Sequence, residues 1–287
     1  MGVVGWLVGW GIQSATKAPG SLPIGGLLIS VATLIAVAFA GEVPIALWSG
    51  IGLIWLLTTL VLRLGGSSVA IALASVPGAV VVALAATEQP GWVRAVVVLS
   101  VPILGFLLGD FESRYGVRGL GVIYFGLAAF GSFLAVPDTE SIRTLFAVAL
   151  PISFLAWPWV RVTVGPPGAY LVSALLVLFT SEGGTGRPAS VIGALACLGL
   201  VIVEPVAVRI KPRIASLAER LPSNPAAVLI AAVPQFVIVM AASRIAARTS
   251  SFTRATLVVV VVFGLSYAAM VWASEQHVDM ASRPRFD

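Results

Sequence analysis

The chain has 287 residues, of which 59% are hydrophobic and only 10% are charged, and its net charge is +5. Soluble domains carry about a quarter charged residues and under half apolar ones, so this composition excludes a soluble enzyme, a disordered protein and a disulfide-stabilised scaffold. No basic run with interleaved aromatic residues occurs, which argues against nucleic acid as a partner. The sequence predicts an all-α, polytopic integral membrane helix bundle whose first partner is the lipid bilayer.

Cysteine and histidine each occur once, as Cys197 and His277. This excludes an intrachain disulfide, haem ligation and a metal centre built from His and Cys side chains. Cys197 lies in an apolar run, where a small buried packing residue is the expected role. We therefore predict no metal site and no cofactor.

The first twenty residues contain an apolar run that is too short to span a bilayer. Trp6 and Trp10 lie in this run, and indole rings settle at the level of the lipid headgroups. Residues 1–20 are therefore predicted to form a short interfacial helix on the membrane surface.

About ten later segments approach the roughly 20 apolar residues that a spanning helix needs. They are predicted at Leu22–Ala40, Val43–Leu62, Ser67–Thr87, Trp92–Gly109, Gly119–Val136, Thr144–Val160, Pro166–Thr180, Ser190–Val208, Ala226–Ala242 and Ala255–Ala273. Short Gly- and Pro-containing joints connect them, so successive helices are expected to be antiparallel neighbours. Residues 1–273 are predicted to form one transmembrane domain, followed by a polar tail over residues 274–287.

The distribution of Lys and Arg predicts the orientation. With ten spans and a cytoplasmic N-terminus, eleven of the 17 basic residues lie on the inner side, which favours two cytoplasmic termini. The bias toward Ala, Val, Gly and Arg suggests a bacterial plasma membrane. Residues 209–225 are predicted to be a cytoplasmic amphipathic segment resting on anionic headgroups, with docking of a cytoplasmic protein as the alternative. The three arginines of the outer loop 243–254 oppose the bias, and the span count ranges from nine to eleven.

Glu204 is the best-placed acid, since it lies inside a predicted span directly before Pro205. A carboxylate at membrane depth is costly, and proline distorts the helix there, so Glu204 is a candidate ion or proton site. The alternative is an interfacial ion pair with Arg209 or Arg161 near the cytoplasmic end of the span.

Proline recurs inside several spans, and Pro77-Gly78 lies near the middle of the third. Transporters use broken helices to expose backbone groups at the midplane, so Pro77 and Gly78 form a candidate helix break. Packing alone is the alternative explanation for proline in membrane helices. The spacing Gly105-x-x-x-Gly109 predicts close helix packing, which we assign to a central pair formed by spans four and five.

The segment that joins spans four and five contains Asp110, Glu112 and Arg114. If helix continues through it, Asp110 and Arg114 lie one turn apart and form a candidate cytoplasmic gate. The alternative is a solvated interhelical loop.

Acids gather on the predicted outer face, accompanied by two arginines. Carboxylates beside arginine can serve as a general base next to a phosphate clamp, whereas the alternative is that acids accumulate where the positive-inside bias leaves room. The candidate outer-face residues are Asp138, Glu140, Arg143, Glu182 and Arg187.

Three functions from different classes remain open. The favoured one is a transporter or permease-like protein that moves a small or amphipathic solute. The second is a non-catalytic structural or assembly subunit of a larger membrane complex, whose partners would be other protein subunits. The third, an enzyme, is a membrane-embedded transferase acting on a lipid-linked envelope precursor at the outer face.

Replacing Glu204 tests its predicted role. Glu204→Gln is expected to abolish coupled transport while leaving the protein folded, because the amide keeps the shape but cannot carry charge or a proton. Uptake into vesicles containing the variant, compared with its yield and thermal stability, measures both effects. Unchanged uptake would remove Glu204 from the mechanism.

Overall fold

A computed structural model of the chain describes residues 25–85, 91–114, 129, 140–156, 164–183, 241, 244, 245, 248, 249 and 251–281. Within these residues the protein is all-helical, with seven helices and no strands. The helices are α1 (Gly25–Ala40), α2 (Ile45–Arg63), α3 (Ser68–Ala85), α4 (Gly91–Arg114), α5 (Glu140–Ala156), α6 (Gly165–Gly183) and α7 (Phe252–Ala281). The structure therefore agrees with the predicted all-α class.

Three of these helices are long and apolar enough to cross a membrane. They are α2, α3 and the Gly91–Gly109 part of α4. Helix α1, most of α6 and the first part of α7 are shorter apolar helices. Since about 20 apolar residues match the thickness of the hydrocarbon layer, the three long helices indicate a membrane protein.

Each of the seven helices coincides with a predicted span, although two of them run further. Helix α4 continues past Gly109 to Arg114, and α7 continues past Ala273 to Ala281, into the predicted polar tail. A helix satisfies its own backbone hydrogen bonds, so polar residues that favour helix extend it beyond the apolar stretch. The remaining predicted spans, 119–136, 190–208 and 226–242, lie almost wholly outside the described residues, as do residues 1–20 and 209–225.

The predicted outer loop 243–254 is partly helical. Arg244, Ile245 and Arg248 have helical backbone, and the Thr249 hydroxyl donates a hydrogen bond to the Ile245 carbonyl at 2.9 Å. Charged residues are compatible with helix because arginine is a good helix former.

A four-residue turn joins α2 to α3 and reverses the chain. Gly65 has φ +73°, the left-handed conformation that glycine adopts without a steric penalty. The Gly66 N–H donates to the Val61 carbonyl at 2.9 Å, and the Gly65 N–H donates to Leu62 at 3.1 Å. This pair of bonds is a Schellman motif, which satisfies carbonyls that the end of α2 leaves without helical partners.

Glycines allow α2 and α3 to approach closely. A Cβ on Gly50 would lie 2.8 Å from the Val82 nitrogen, and a Cβ on Gly78 would lie 2.7 Å from the Ile54 nitrogen. Both distances are too short for any side chain, so backbone packs on backbone. In lipid, where apolar association gains little, such close packing is a principal source of helix–helix attraction.

Helix α6 lies at the centre of the described helices. It contacts α1, α2, α3, α4 and α5. Of residues 164–181 all are buried except Pro166, and Leu171 and Leu175 are completely inaccessible. Helix α6 is therefore enclosed by protein on nearly every side.

Two further glycine contacts seat α6 between its neighbours. Gly168 meets Gly26 of α1, since a Cβ on Gly168 would lie 3.0 Å from the Gly26 Cα. The ring of Tyr170 packs directly on Gly105 of α4. Gly105 thus makes a close helix contact, but with α6. The predicted central pair of spans four and five stays a prediction, because span five lies almost wholly outside the described residues.

The left-handed backbone at Gly65 gives a first stability test. Gly65→Ala should lower the stability by about 1–2 kcal/mol, because an L-residue is strained at positive φ. The matched control is Gly41→Ala, because neither glycine has an atom within 4 Å of an added Cβ and only Gly65 has positive φ. Thermal melting in detergent measures both. Equal melting temperatures for the two variants would contradict the motif.

The α2–α3 crossing gives a second test. Gly50→Leu should reduce the folded yield and cost about 1–3 kcal/mol or more, because the side chain would have to displace backbone of α3. Gly52→Leu on the same helix meets nothing within 4 Å and should behave like the wild type. Gel filtration and melting of the pair compare the two. Similar behaviour of both variants would show that the close crossing is absent.

Candidate functional site

Several residues predicted as functional cannot be placed. Glu204, Asp138 and Arg187 lie outside the described residues. Their proposed roles stay predictions. Of the outer-face candidates, Glu182 lies in the last turn of α6, and Glu140 and Arg143 lie at the start of α5.

Helix α3 is continuous through Pro77 and Gly78. Proline has no N–H to donate to the Leu73 carbonyl, and its ring is exposed on the outer side of the helix. Gly78 lies about 100° further around the helix, where it is buried and packs against α2. The observed role of Gly78 is close packing, and its use as a break during transport stays a prediction.

Two other candidate groups lie on single helices. Because α4 extends to Arg114, the backbone positions of Asp110 and Arg114 are one helical turn apart. Glu140 and Arg143 are exposed and lie in the first turn of α5, three residues apart on one face. A carboxylate at this position also interacts favourably with the amino end of the helix.

Two groups of buried hydroxyls can be distinguished among the described residues. Thr58 on α2 donates to the Ile54 carbonyl at 2.6 Å, and Ser75 on α3 donates to the Ala72 carbonyl at 2.7 Å. This bond to the preceding turn is the usual arrangement for serine and threonine inside a helix. It supplies a partner for the hydroxyl without another helix or a ligand.

The second class has no hydrogen-bond partner among the described residues. It includes four fully inaccessible hydroxyls, which we call the buried hydroxyls: Ser30 and Thr33 on α1, and Thr180 and Ser181 on α6. Leaving a buried hydroxyl without a partner costs about 1–3 kcal/mol. Hydroxyls that persist in such positions are expected to bind water or a ligand.

Ser30 and Thr33 share the face of α1 that meets α6. At 100° per residue both lie within about 40° of Gly26, which contacts Gly168 of α6. They are about 6 Å and about 10 Å along α1 from that contact. Their hydroxyls are therefore placed toward the central helix.

Thr180 and Ser181 lie near the other end of α6, about 18 Å and about 20 Å along the helix from Gly168. By the same 100° per residue, Thr180 and Ser181 lie about 120° and about 140° around α6 from Gly168, and Ser181 lies about 20° from Tyr170, which packs on Gly105 of α4. The buried hydroxyls are therefore two pairs on different sides of α6. Hydroxyls of both pairs can exchange hydrogen bonds with water or a polar molecule.

Arg94 is a further polar residue at this end, and we did not select it from the sequence. Helices α4 and α6 run antiparallel, and Gly105 of α4 contacts Tyr170 of α6. Arg94 lies eleven residues before Gly105, and Ser181 lies eleven residues after Tyr170. Because eleven residues are about three turns, Arg94 and Ser181 lie at the same level on the facing sides of the two helices. The Arg94 side chain is half-buried and its Nε atom is inaccessible. The sequence feature that could have identified Arg94 is its position as a cation inside a predicted span.

The chemistry of this site is that of neutral hydrogen bonding, with one cation near one end. Among the described residues, the buried polar side chains are all serine or threonine, and no group of three or more His, Cys, Asp or Glu could hold a metal ion. Hydroxyls both donate and accept, so they suit polar groups such as hydroxyls, amides and water.

Comparison with protein-family models, with curated proteins and with solved structures finds no match to this chain. The functional proposal therefore rests on the buried hydroxyls and on their place along α6.

Proposed function

We propose that this protein is a transporter or permease-like protein that moves a small polar or amphipathic solute across a bacterial plasma membrane. In this proposal the chain forms about ten spans with both termini in the cytoplasm, as its Lys and Arg distribution predicts. The observation that carries it is the set of buried hydroxyls, Ser30, Thr33, Thr180 and Ser181, which have no partner among the described residues.

A buried hydroxyl without a hydrogen-bond partner lowers the stability of the protein. A membrane helix can satisfy a hydroxyl by a bond to its own preceding turn, as Thr58 and Ser75 do. The buried hydroxyls do not use this bond, although removing them would avoid a cost of about 1–3 kcal/mol each. A polar solute or water that reaches the α1 side and the α4 side of α6 would supply the missing partners. Such a solute would leave its hydration shell stepwise and gain hydrogen bonds in exchange.

Three further sites have roles in this proposal. Arg94 lies level with Ser181 and would meet the solute near one end. Glu204 is proposed as the ion or proton site that couples transport, and Pro77 with Gly78 as the point where α3 opens. A path at membrane depth between helices is the usual location of a substrate site in transporters.

Removing single hydroxyls tests the proposal. Thr33→Val and Ser181→Ala should reduce solute binding and uptake at least about fivefold, because each removes one hydrogen bond of about 1 kcal/mol and leaves a polar solute without it. Thr58→Val is the matched control, since that hydroxyl already bonds within α2. Thermal shift with a panel of small uncharged polyols, sugars and amides identifies a ligand, and uptake of that ligand into proteoliposomes measures transport.

The stability of the variants separates function from folding. Thr33→Val and Ser181→Ala should melt at or above the wild-type temperature, because each deletes an unsatisfied buried group. If no compound raises the melting temperature and no uptake exceeds that of empty liposomes, transport of a small polar solute is ruled out. The structural-subunit alternative would then become the leading one.

A further inference from the structure

Three exposed arginines lie close together in the chain where α7 begins. Arg244 and Arg248 precede α7, have helical backbone and lie four residues apart, which in a helix places both on one face. Arg254 lies in the first turn of α7 and is exposed as well. We call Arg244, Arg248 and Arg254 the α7 arginines.

Hydrogen bonds define the backbone between these arginines. The Thr249 hydroxyl donates to the Ile245 carbonyl at 2.9 Å, and Thr249 itself is not helical. The Ser251 hydroxyl accepts a hydrogen bond from the Arg254 N–H at 3.5 Å, and the Ser251 carbonyl accepts one from the Ala255 N–H at 3.1 Å. Ser251 is therefore the N-cap of α7. The chain leaves one helical segment and enters the next within a few residues, so the α7 arginines lie in one short stretch.

The sequence around the α7 arginines contains no carboxylate. Between Glu219 and Glu275 the chain has no Asp or Glu. The positive charge of this stretch is therefore not neutralised by its own neighbours in the chain. At a membrane surface each such arginine attracts anionic lipid by about 1 kcal/mol.

Large apolar side chains are exposed beside the same arginines. Ile245 lies between Arg244 and Arg248 in the chain and is 58% exposed, and Phe252 at the start of α7 is 59% exposed. Arginine combined with exposed apolar side chains is typical of segments that lie at the boundary between lipid headgroups and acyl chains.

The exposed face of α7 relates this stretch to a bilayer. At 100° per residue, Val261, Leu265 and Trp272 lie within about 20° of Arg254, and all four side chains are exposed. Arg254 and Trp272 are eighteen residues apart. This is about 27 Å along the helix, close to the roughly 30 Å thickness of the hydrocarbon layer. An exposed apolar face with arginine at one end and tryptophan at the other is typical of the lipid-facing side of a spanning helix.

We propose that the α7 arginines bind the phosphate groups of anionic phospholipids in the bilayer around the protein. The apolar face of α7 puts Arg254 at the level of the headgroups, and the N-cap turn keeps Arg244 and Arg248 near it. Guanidinium groups match phosphate oxygens in charge and in geometry. A nucleic acid or an acidic protein would match the charge but not the exposed apolar face below it. This surface is independent of the buried hydroxyls and of the proposed transport.

The lipid composition next to the α7 arginines tests the proposal. In the full-length protein with Cys197→Ser, the exposed Thr253 is changed, Thr253→Cys, and labelled with a fluorophore that brominated lipids quench on contact. Vesicles contain equal amounts of phosphatidylglycerol and phosphatidylcholine, with each lipid brominated in turn. Quenching should show phosphatidylglycerol enriched at least about fivefold at the label, the ratio that about 1 kcal/mol from a single arginine provides.

Removal of charge provides the comparison. The combined variant Arg244→Gln, Arg248→Gln and Arg254→Gln should bring the ratio close to one, whereas Arg63→Gln, at an exposed arginine that ends α2, should leave it unchanged. High salt should also lower the wild-type ratio, because salt screens exposed charges. Equal quenching by both lipids, a ratio that salt does not change, or a ratio that the combined variant retains would overturn the proposal. If the combined variant does not fold, the salt dependence of the wild type decides.

Discussion

The described helices depend on close contacts that glycines allow between neighbouring helices. Helices in lipid gain little from burying apolar side chains, so their association relies on packing at short range. Glycine provides that range where Gly26 meets Gly168, where Gly50 and Gly78 cross, and where Tyr170 lies on Gly105. These contacts fix which residues surround the central helix, and they thereby place polar groups that an apolar environment would otherwise exclude.

The buried hydroxyls are the exception to this apolar packing, and an exception with a cost indicates a role. Thr58 and Ser75 show that this chain can satisfy a buried hydroxyl with a carbonyl of the preceding turn. The hydroxyls of Ser30, Thr33 and Ser181 lie instead on surfaces between helices without a partner among the described residues. They place polar groups at two interfaces of α6, one with α1 and one with α4, where a polar molecule could bind, which links the fold to the proposed transport.

The sequence predicted the helices better than the site. The length of each apolar stretch predicted the described spans to within a few residues, because the thickness of the bilayer sets the length of a spanning helix. It did not predict the end of α7, because Glu and Gln continue a helix as readily as leucine. Gly105 was recognised as a packing residue, yet its partner Tyr170 was not, because helix pairing depends on contacts distant in sequence. The sequence did not predict the buried hydroxyls, because serine and threonine are common in membrane helices. Only the structure distinguishes hydroxyls that have a hydrogen-bond partner from those that have none.

Water access to the buried hydroxyls is the most direct test of the account. In a Cys197→Ser background, Thr33→Cys and Ser181→Cys would be treated with a membrane-impermeant, water-soluble methanethiosulfonate reagent, with Leu176→Cys as the buried apolar control. The account predicts modification of the first two in the folded protein and none of the third. Complete protection of both hydroxyl positions would show that no polar path reaches them and would contradict the central claim.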